Sequence, residues 1–177
     1  DKLRGISGVV AIDLGKTVDT EVNKLRSNYD DVTIAVGDDN NAVVRANELL
    51  SSVIGNLLTN AIRHNDTEAP EIEITAEQTA TTVVLRIADN GPGVPDSEKE
   101  AVFEKGRKGA ESPGSGIGLY LVSKLVDQYN GEIWVEDNEP TGAVFALELP
   151  IYDPEMDCPA HNRHKGLKQA VGRDGTA

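Results

Sequence analysis

Between Leu49 and Ile62 the apolar residues arrive as adjacent pairs, Leu49-Leu50, Val53-Ile54, Leu57-Leu58 and Ala61-Ile62, each pair four residues after the one before. That period puts every pair on one side of an α-helix and makes the apolar stripe broad. A helix is therefore expected from Asn47 to His64, with Asn47 as its N-cap. A stripe of that width has to be buried, and the rest of the chain must supply a sheet or further helices to cover it.

The flanking segments supply both. Leu14, Val18, Val22, Leu25 and Tyr29 recur at helical spacing, and Val32, Ile34 and Val36 then alternate as a strand, with a second short strand over Ala42 to Arg45. Glu71 to Glu77 and Thr82 to Asp89 read as two strands of a hairpin joined by a Thr-rich turn. A short helix is expected from Ser97, whose spacing to Glu100 fits a capping box. A further helix carries Ile117, Leu121, Leu125 and Val126 and stops at Asn130-Gly131. Strands 132–137 and 143–149 complete the body. About three helices collected on one face of a mixed, largely antiparallel sheet give an α/β two-layer sandwich as the expected fold class. With 177 residues and 38% hydrophobic content the chain can bury one ordinary core, so one domain over 1–152 is expected. The remainder, 153–177, has no apolar period and reads as a polar tail, poorly ordered or not native.

Charge narrows the function. The formal net charge is -13 and the sequence pI about 4.6, the wrong sign for neutralising phosphates, so neither nucleic acid nor an anionic membrane surface is an expected partner. No apolar run reaches the roughly 20 residues of a membrane span. A cytoplasmic domain without direct membrane contact is expected, whether or not a parent protein is membrane-anchored. The acidic surface resembles proteins from salt-rich cytoplasm; the alternative is an ordinary acidic bacterial domain. Cys158 is the single cysteine and has no apparent catalytic partner.

Three segments are suited to chemistry. On the 47–64 helix, Ser52, Asn56, Asn60 and Arg63 or His64 stand three or four apart and form one polar stripe. Its carboxamide oxygens suit a hard cation such as Mg2+, and Arg63 suits a phosphate; a solvated helix face would look the same. In ADNGPGVP, Asp89 ends a strand and can accept a hydrogen bond from an amino group such as adenine N6, while Asn90-Gly91 and Gly93 permit a sharp turn, which could also be all the string does. In ESPGSGIGLYLV, Gly114, Gly116 and Gly118 precede a helix whose free amides suit phosphate. It lacks the Lys of a P-loop and the preceding strand of a dinucleotide fold.

Taken in order, NLLTNAIRH, DNGPGV and GSGIGL resemble the N, G1 and G2 boxes of the GHKL ATPases, and VFEKG resembles the F box of sensor histidine kinases. The acidic composition resembles haloarchaeal members. The resemblance implies a Bergerat-type sandwich that binds ATP with Mg2+. Asn60 would ligate the metal, Asp89 would bind the adenine amino group, and Gly91 and Gly93 would shape the pocket. Gly114, Ser115, Gly116, Ile117, Gly118 and Leu119, the G2 box, would line the phosphate side under a lid of roughly residues 104–115. By position Arg63 resembles a phosphate-contacting base, His64 an adenine-stacking ring, Phe103 the aromatic of the F box and Lys108 a lid cation near the γ-phosphate.

The hydrolytic branches of that superfamily carry a Glu one helical turn before the metal-binding Asn; here the position is Asn56. A carboxamide accepts no proton at neutral pH, so water activation is missing. Asn56 and Lys108 are accordingly expected as catalytic residues of a protein histidine kinase, which needs ATP positioned and its charge neutralised rather than a base. None of His64, His161 or His164 has the context of a phosphoacceptor. The acceptor is therefore expected on separate dimerisation helices of a parent kinase, with a response regulator downstream, and Asp1 in place of an initiator Met agrees with excision from such a parent. The alternative is a nucleotide-binding regulatory module that transfers nothing.

Overall fold

The computed structural model describes residues 8–37, 41–104 and 118–154. They form β1 (Val10–Asp13), α1 (Leu14–Asn28), β2 (Thr33–Val36), β3 (Val43–Ala46), α2 (Leu50–Arg63), β4 (Glu71–Gln78), β5 (Thr82–Asp89), α3 (Leu119–Gln128), β6 (Glu132–Asp137) and β7 (Ala143–Pro150). Five strands make the main sheet in the order β2-β4-β5-β7-β6, and β1 pairs with β3 in a small second one. Only the β2·β4 pairing of the main sheet is parallel. The mixed, largely antiparallel sheet with helices expected from the sequence is the fold that forms.

Cross-strand register aligns the apolar residues into rows beneath the helices. Ile74, Ile87, Phe145 and Val135 are consecutive neighbours across β4, β5, β7 and β6, and Leu85, Leu147 and Ile133 form the next row. Against these rows lie Leu50, Val53, Ile54, Leu57 and Leu58 of α2, all fully buried. Burying each such side chain contributes about 1.5–3 kcal/mol, and this packing, rather than helix propensity, holds α2 in place. On β5 the buried face runs Val83, Leu85, Ile87 and then Asp89. A carboxylate thus ends the most central apolar column.

Several expectations need correcting at the element ends. Asn47 does not cap the first turn of α2. Its Oδ1 accepts from the Leu49 amide at 3.0 Å within a turn that precedes the helix, which begins at Leu50. No helix starts at Ser97, and no capping box forms; Asp96–Glu98 and Ala101–Phe103 are two separate 3-10 turns without side-chain caps. They are held instead by tertiary contacts. Lys99 Nζ bridges Asp96 and Asp137, at 2.8 Å from the latter, and the Phe103 ring meets Phe145 edge-on at 6.2 Å. Strand β1 was not anticipated. It is four residues long, and its partner β3 is held on the other side by the Val44–Ile151 bridge and the bond from the Tyr152 amide to the Val43 carbonyl.

The stop of α3 follows the sequence signal. Asn130 takes the left-handed conformation at φ 60°, and the Gly131 amide returns to the Val126 carbonyl at 2.9 Å while the Asn130 amide reaches Asp127. Just before it, fully buried Tyr129 donates its hydroxyl to Asn47 Oδ1, which ties the end of α3 to the approach to α2.

Burial, with the Glu48 carboxylate second, pushes the Tyr129 phenol up to about 12. An unfolded tyrosine ionises near 10, so between pH 10 and 12 the unfolded chain loses its proton first and folding stability falls as pH rises, by roughly 2–3 kcal/mol in all. Tyr129→Phe is expected to cost about 1–2 kcal/mol at pH 7 and to flatten that alkaline slope. Denaturant unfolding of both proteins across pH 7 to 12 measures both effects.

Candidate functional site

The site is built around Asp89, 7% exposed at the end of β5. Its Oδ1 accepts two backbone amides, Gly91 at 2.9 Å and Ala143 at 3.2 Å. Oδ2 has no partner among the described residues. Burial raises the Asp89 carboxyl above the usual carboxylate range, opposed by the Gly91 and Ala143 amides and then by the charge of nearby His64. The group is half satisfied: one oxygen is fixed by the fold and one is left to accept from an incoming N–H.

Three chain segments meet to hold that carboxylate. The turn between β6 and β7 passes so close that a Cβ on Gly142 would sit 1.9 Å from the Asp89 carbonyl oxygen, and Gly142 has φ +113°. Asn138 donates to that same carbonyl at 2.7 Å, and Thr141 donates to the Gly91 carbonyl at 2.6 Å. After β5 the chain turns through Gly93, φ +81°, where a Cβ would press on the Gly142 carbonyl at 3.0 Å. The Asn90 side chain joins this loop to the one after α2, accepting from Asn65 Nδ2 and the Glu71 amide and donating to the Ala69 carbonyl. A Cβ on Gly91 would lie 3.4 Å from the His64 carbonyl oxygen, so this loop packs against the C-terminus of α2.

The structure therefore brings Asp89, Gly91, Gly93 and His64 together, with Arg63 beside them and Asn60 one turn back on α2. Arg63 and His64 are exposed and Asn60 is half-buried. Asn56, a further turn away, is 8% exposed, and neither carboxamide has a hydrogen-bond partner among the described residues. A buried carboxamide without a partner costs free energy unless something outside the protein engages it. Oxygen donors on one helix face fit a hard cation with its waters.

Gly118 is the N-cap of α3 in extended conformation, a Cβ there would meet no atom of the described residues within 4 Å, and the first free amides of the helix follow it. Leu119 is 3% exposed, so its side chain belongs to the core and only its backbone faces outward chemistry. Phe103 packs on Phe145 at the base of the segment that leads toward residue 104. Lys108, Gly114, Ser115, Gly116 and Ile117 lie outside the described residues, as do most of the 104–115 segment and the tail from 155. Sequence reading missed Gly142, Asn138, Thr141 and Asn65, and it took Asn90 only as part of a turn, not as the side chain that ties that turn to the loop after α2. The string Asn138 to Gly142 reads as a turn and nothing more, because its partner is 50 residues away.

A two-layer sandwich with a half-satisfied aspartate at the end of its central strand, glycines around it and paired carboxamides on the adjoining helix defines an ATP-binding domain. Residues 45–153 match the family described as histidine kinase-, DNA gyrase B-, and HSP90-like ATPase, and the chain belongs to that family. It is 35% identical over 108 residues to the adaptive-response sensory kinase SasA of Synechocystis sp., in a match covering 59% of this chain and 28% of that protein. The chain thus spans about a quarter of that relative. Among solved structures it resembles the mycobacterial sensor histidine kinase MprB, with TM-score 0.71 and 26% identity over 81% of this chain and 97% of that one. It also shares its fold with the histidine kinase ThkA solved in complex with the response regulator protein TrrA, with TM-score 0.66 and 24% identity over 81% of this chain and 42% of that one.

Two predictions follow from this geometry. Gly142→Ala is expected to cost about 3 kcal/mol or more, since the methyl meets backbone and the φ is unfavourable, whereas Gly118→Ala should cost less than about 1 kcal/mol; thermal unfolding of the two variants separates them. Protonated Asp89 offers a donor where an acceptor is needed, so ATP affinity should fall as pH drops through its raised pKa. In the ligand-free protein the sign is opposite: the folded state takes up the proton first, so this group favours folding as pH falls. Calorimetric ATP titrations from pH 7 downward should show a decline that is absent in Asp89→Asn.

Proposed function

We propose that this chain binds Mg-ATP through Asp89 and α2 and passes the γ-phosphate to a histidine on the dimerisation helices of a parent sensor kinase. The observation that carries the reading is the composition of α2. Its 14 residues contain Asn56 and Asn60 on the site face and not one carboxylate or histidine. The helix can hold a cation and has no group able to take a proton from water. An acceptor imidazole brings its own lone pair, so transfer to it needs alignment and charge neutralisation rather than a base.

In this reading Asp89 Oδ2 accepts the adenine amino hydrogen, and the glycine-lined loop lets the base approach. His64 stacks on the ring system. Asn60, with Asn56 behind it, would hold Mg2+, which neutralises phosphate charge when bound; Arg63 and the α3 amides after Gly118 would contact the phosphates, and Lys108 is the cation expected to act on the γ-phosphate. The response regulator is the downstream partner, as the complex of the similarly folded ThkA suggests. Among the described residues no helix is long and apolar enough to cross a membrane. That agrees with a cytoplasmic domain, and the acidic surface agrees with salt-rich cytoplasm.

Asn60→Ala is expected to lower ATP affinity roughly tenfold in the presence of Mg2+ and little without it, because only the metal-dependent part uses its oxygen. Incubated alone with γ-labelled ATP the chain should stay unlabelled. With a dimerisation segment carrying the acceptor histidine it should give an acid-labile, alkali-stable phosphoryl group on that segment, slowly, since the two pieces are untethered. An acid-stable product, or ATP binding with no transfer to any such segment, would defeat the reading.

A further inference from the structure

The main sheet has two edges, and they are treated differently. At β2 the guanidinium of Arg26 reaches across from α1 and occupies the Ile34 carbonyl at 2.7 Å, which blunts that edge against further pairing. At β6 the backbone bonds only to β7, and no other described residue takes up the amides and carbonyls that point the other way. Beside this free edge lies a groove of about 370 Å3 lined by Phe103, Ser123, Asp127, Glu132, Ile133 and Trp134.

Glu132, Ile133 and Trp134 are consecutive in one strand. Their side chains point to alternate faces, so a groove that touches all three straddles the strand edge rather than lying on either face. Ile133 pairs with Leu147 in the buried rows and so points toward the helix layer, the side on which Phe103 meets Phe145. Trp134 pairs with Ala146 on the opposite face, where its Nε1 donates to Glu136 Oε2 at 2.7 Å. An added strand would find open hydrogen-bonding groups along its length and an aromatic ring on each side for its alternate side chains.

Charge selects the occupant. Asp127 and Glu132 are the acidic groups of the groove, and both are exposed, whereas Asp137 and Glu136 farther along β6 are paired with Lys99 and Arg86; the chain as a whole carries a net charge of -13. Two copies of this edge would bring like charges face to face. We propose that β6 is a docking edge for an extended, basic partner segment, which adds to the sheet as a sixth strand with its lysines or arginines against Asp127 and Glu132 and its apolar side chains against Phe103 and Trp134.

The test uses the whole chain and a short capped peptide of alternating lysine and valine, with a fully N-methylated version of equal charge as comparison, at moderate salt to suppress diffuse attraction. Backbone amide shifts on titration with the first peptide should concentrate at residues 132–137 and 123–127. The Asp127→Lys/Glu132→Lys variant should bind at least about tenfold more weakly, and the N-methylated peptide should bind as weakly. Asp30→Lys/Asp31→Lys makes the same charge change in the exposed turn beside the blunted edge and should bind within about twofold of the parent. Equal binding of both peptides, shifts scattered over the acidic surface, or equal weakening by the two reversals would overturn the proposal. So would concentration-dependent dimerisation through β6 in sedimentation, which would make a second copy the occupant.

Discussion

The grip of two backbone amides on Asp89 Oδ1 is the constraint on which the rest of the site depends. A carboxylate buried at the end of an apolar strand column is unfavourable unless its charge is met, and the amides of Gly91 and Ala143 meet half of it. To deliver those amides, the loop after β5 and the start of β7 must both close on the same atom. Only a chain with no side chain at Gly142 can come that near. The glycines, the Asn138 and Thr141 bonds and the Asn90 link to the loop after α2 are all conditions for this one contact. They leave the second oxygen aimed and rigid, so a ligand N–H meets an acceptor that loses little freedom on binding.

How far the fold was legible depended on whether the deciding contacts were local. The pairs from Leu49 to Ile62, the hairpin of β4 and β5, and the Asn130-Gly131 stop each carry their own signal within a few residues, and the structure follows them. The Ser97 to Glu100 spacing carried a local signal as well, yet Lys99 and Phe103 bind β6 and β7 and set the path of the segment against it. Strand β1 has four residues and no period; it exists because β3 lies beside it. For the site, Asp89 and the α2 carboxamides could be picked out because their residue types and spacing suit ATP. The turn from Asn138 to Gly142 could not, since its role is fixed by a strand about 50 residues earlier in the chain.

The two carboxamides on α2 show how a small chemical difference directs a common scaffold. Glu is one methylene longer than Asn, and both present oxygen to a cation. They differ in whether a proton can be accepted at neutral pH: a carboxylate can take one and a carboxamide cannot. In the proposed function, Asn at 56 would let the helix bind without activating water, sparing bound ATP from loss to solvent while an acceptor is awaited.

The bond from Tyr129 to Asn47 joins α2 and α3 at the ends farthest from the site, so the working ends, the α2 C-terminus and the α3 N-terminus, lie across from a common pin. With ten residues in α3, the arm is roughly 15 Å long at 1.5 Å per residue. A rotation of about 5° at the pin would carry the first amides of α3, which are proposed to face the phosphates, by roughly 1.3 Å relative to the carboxamides of α2, close to half a hydrogen-bond length. The two helices form a pair of tongs, in which a small angular displacement set far from the nucleotide changes the gap in which its phosphates would lie.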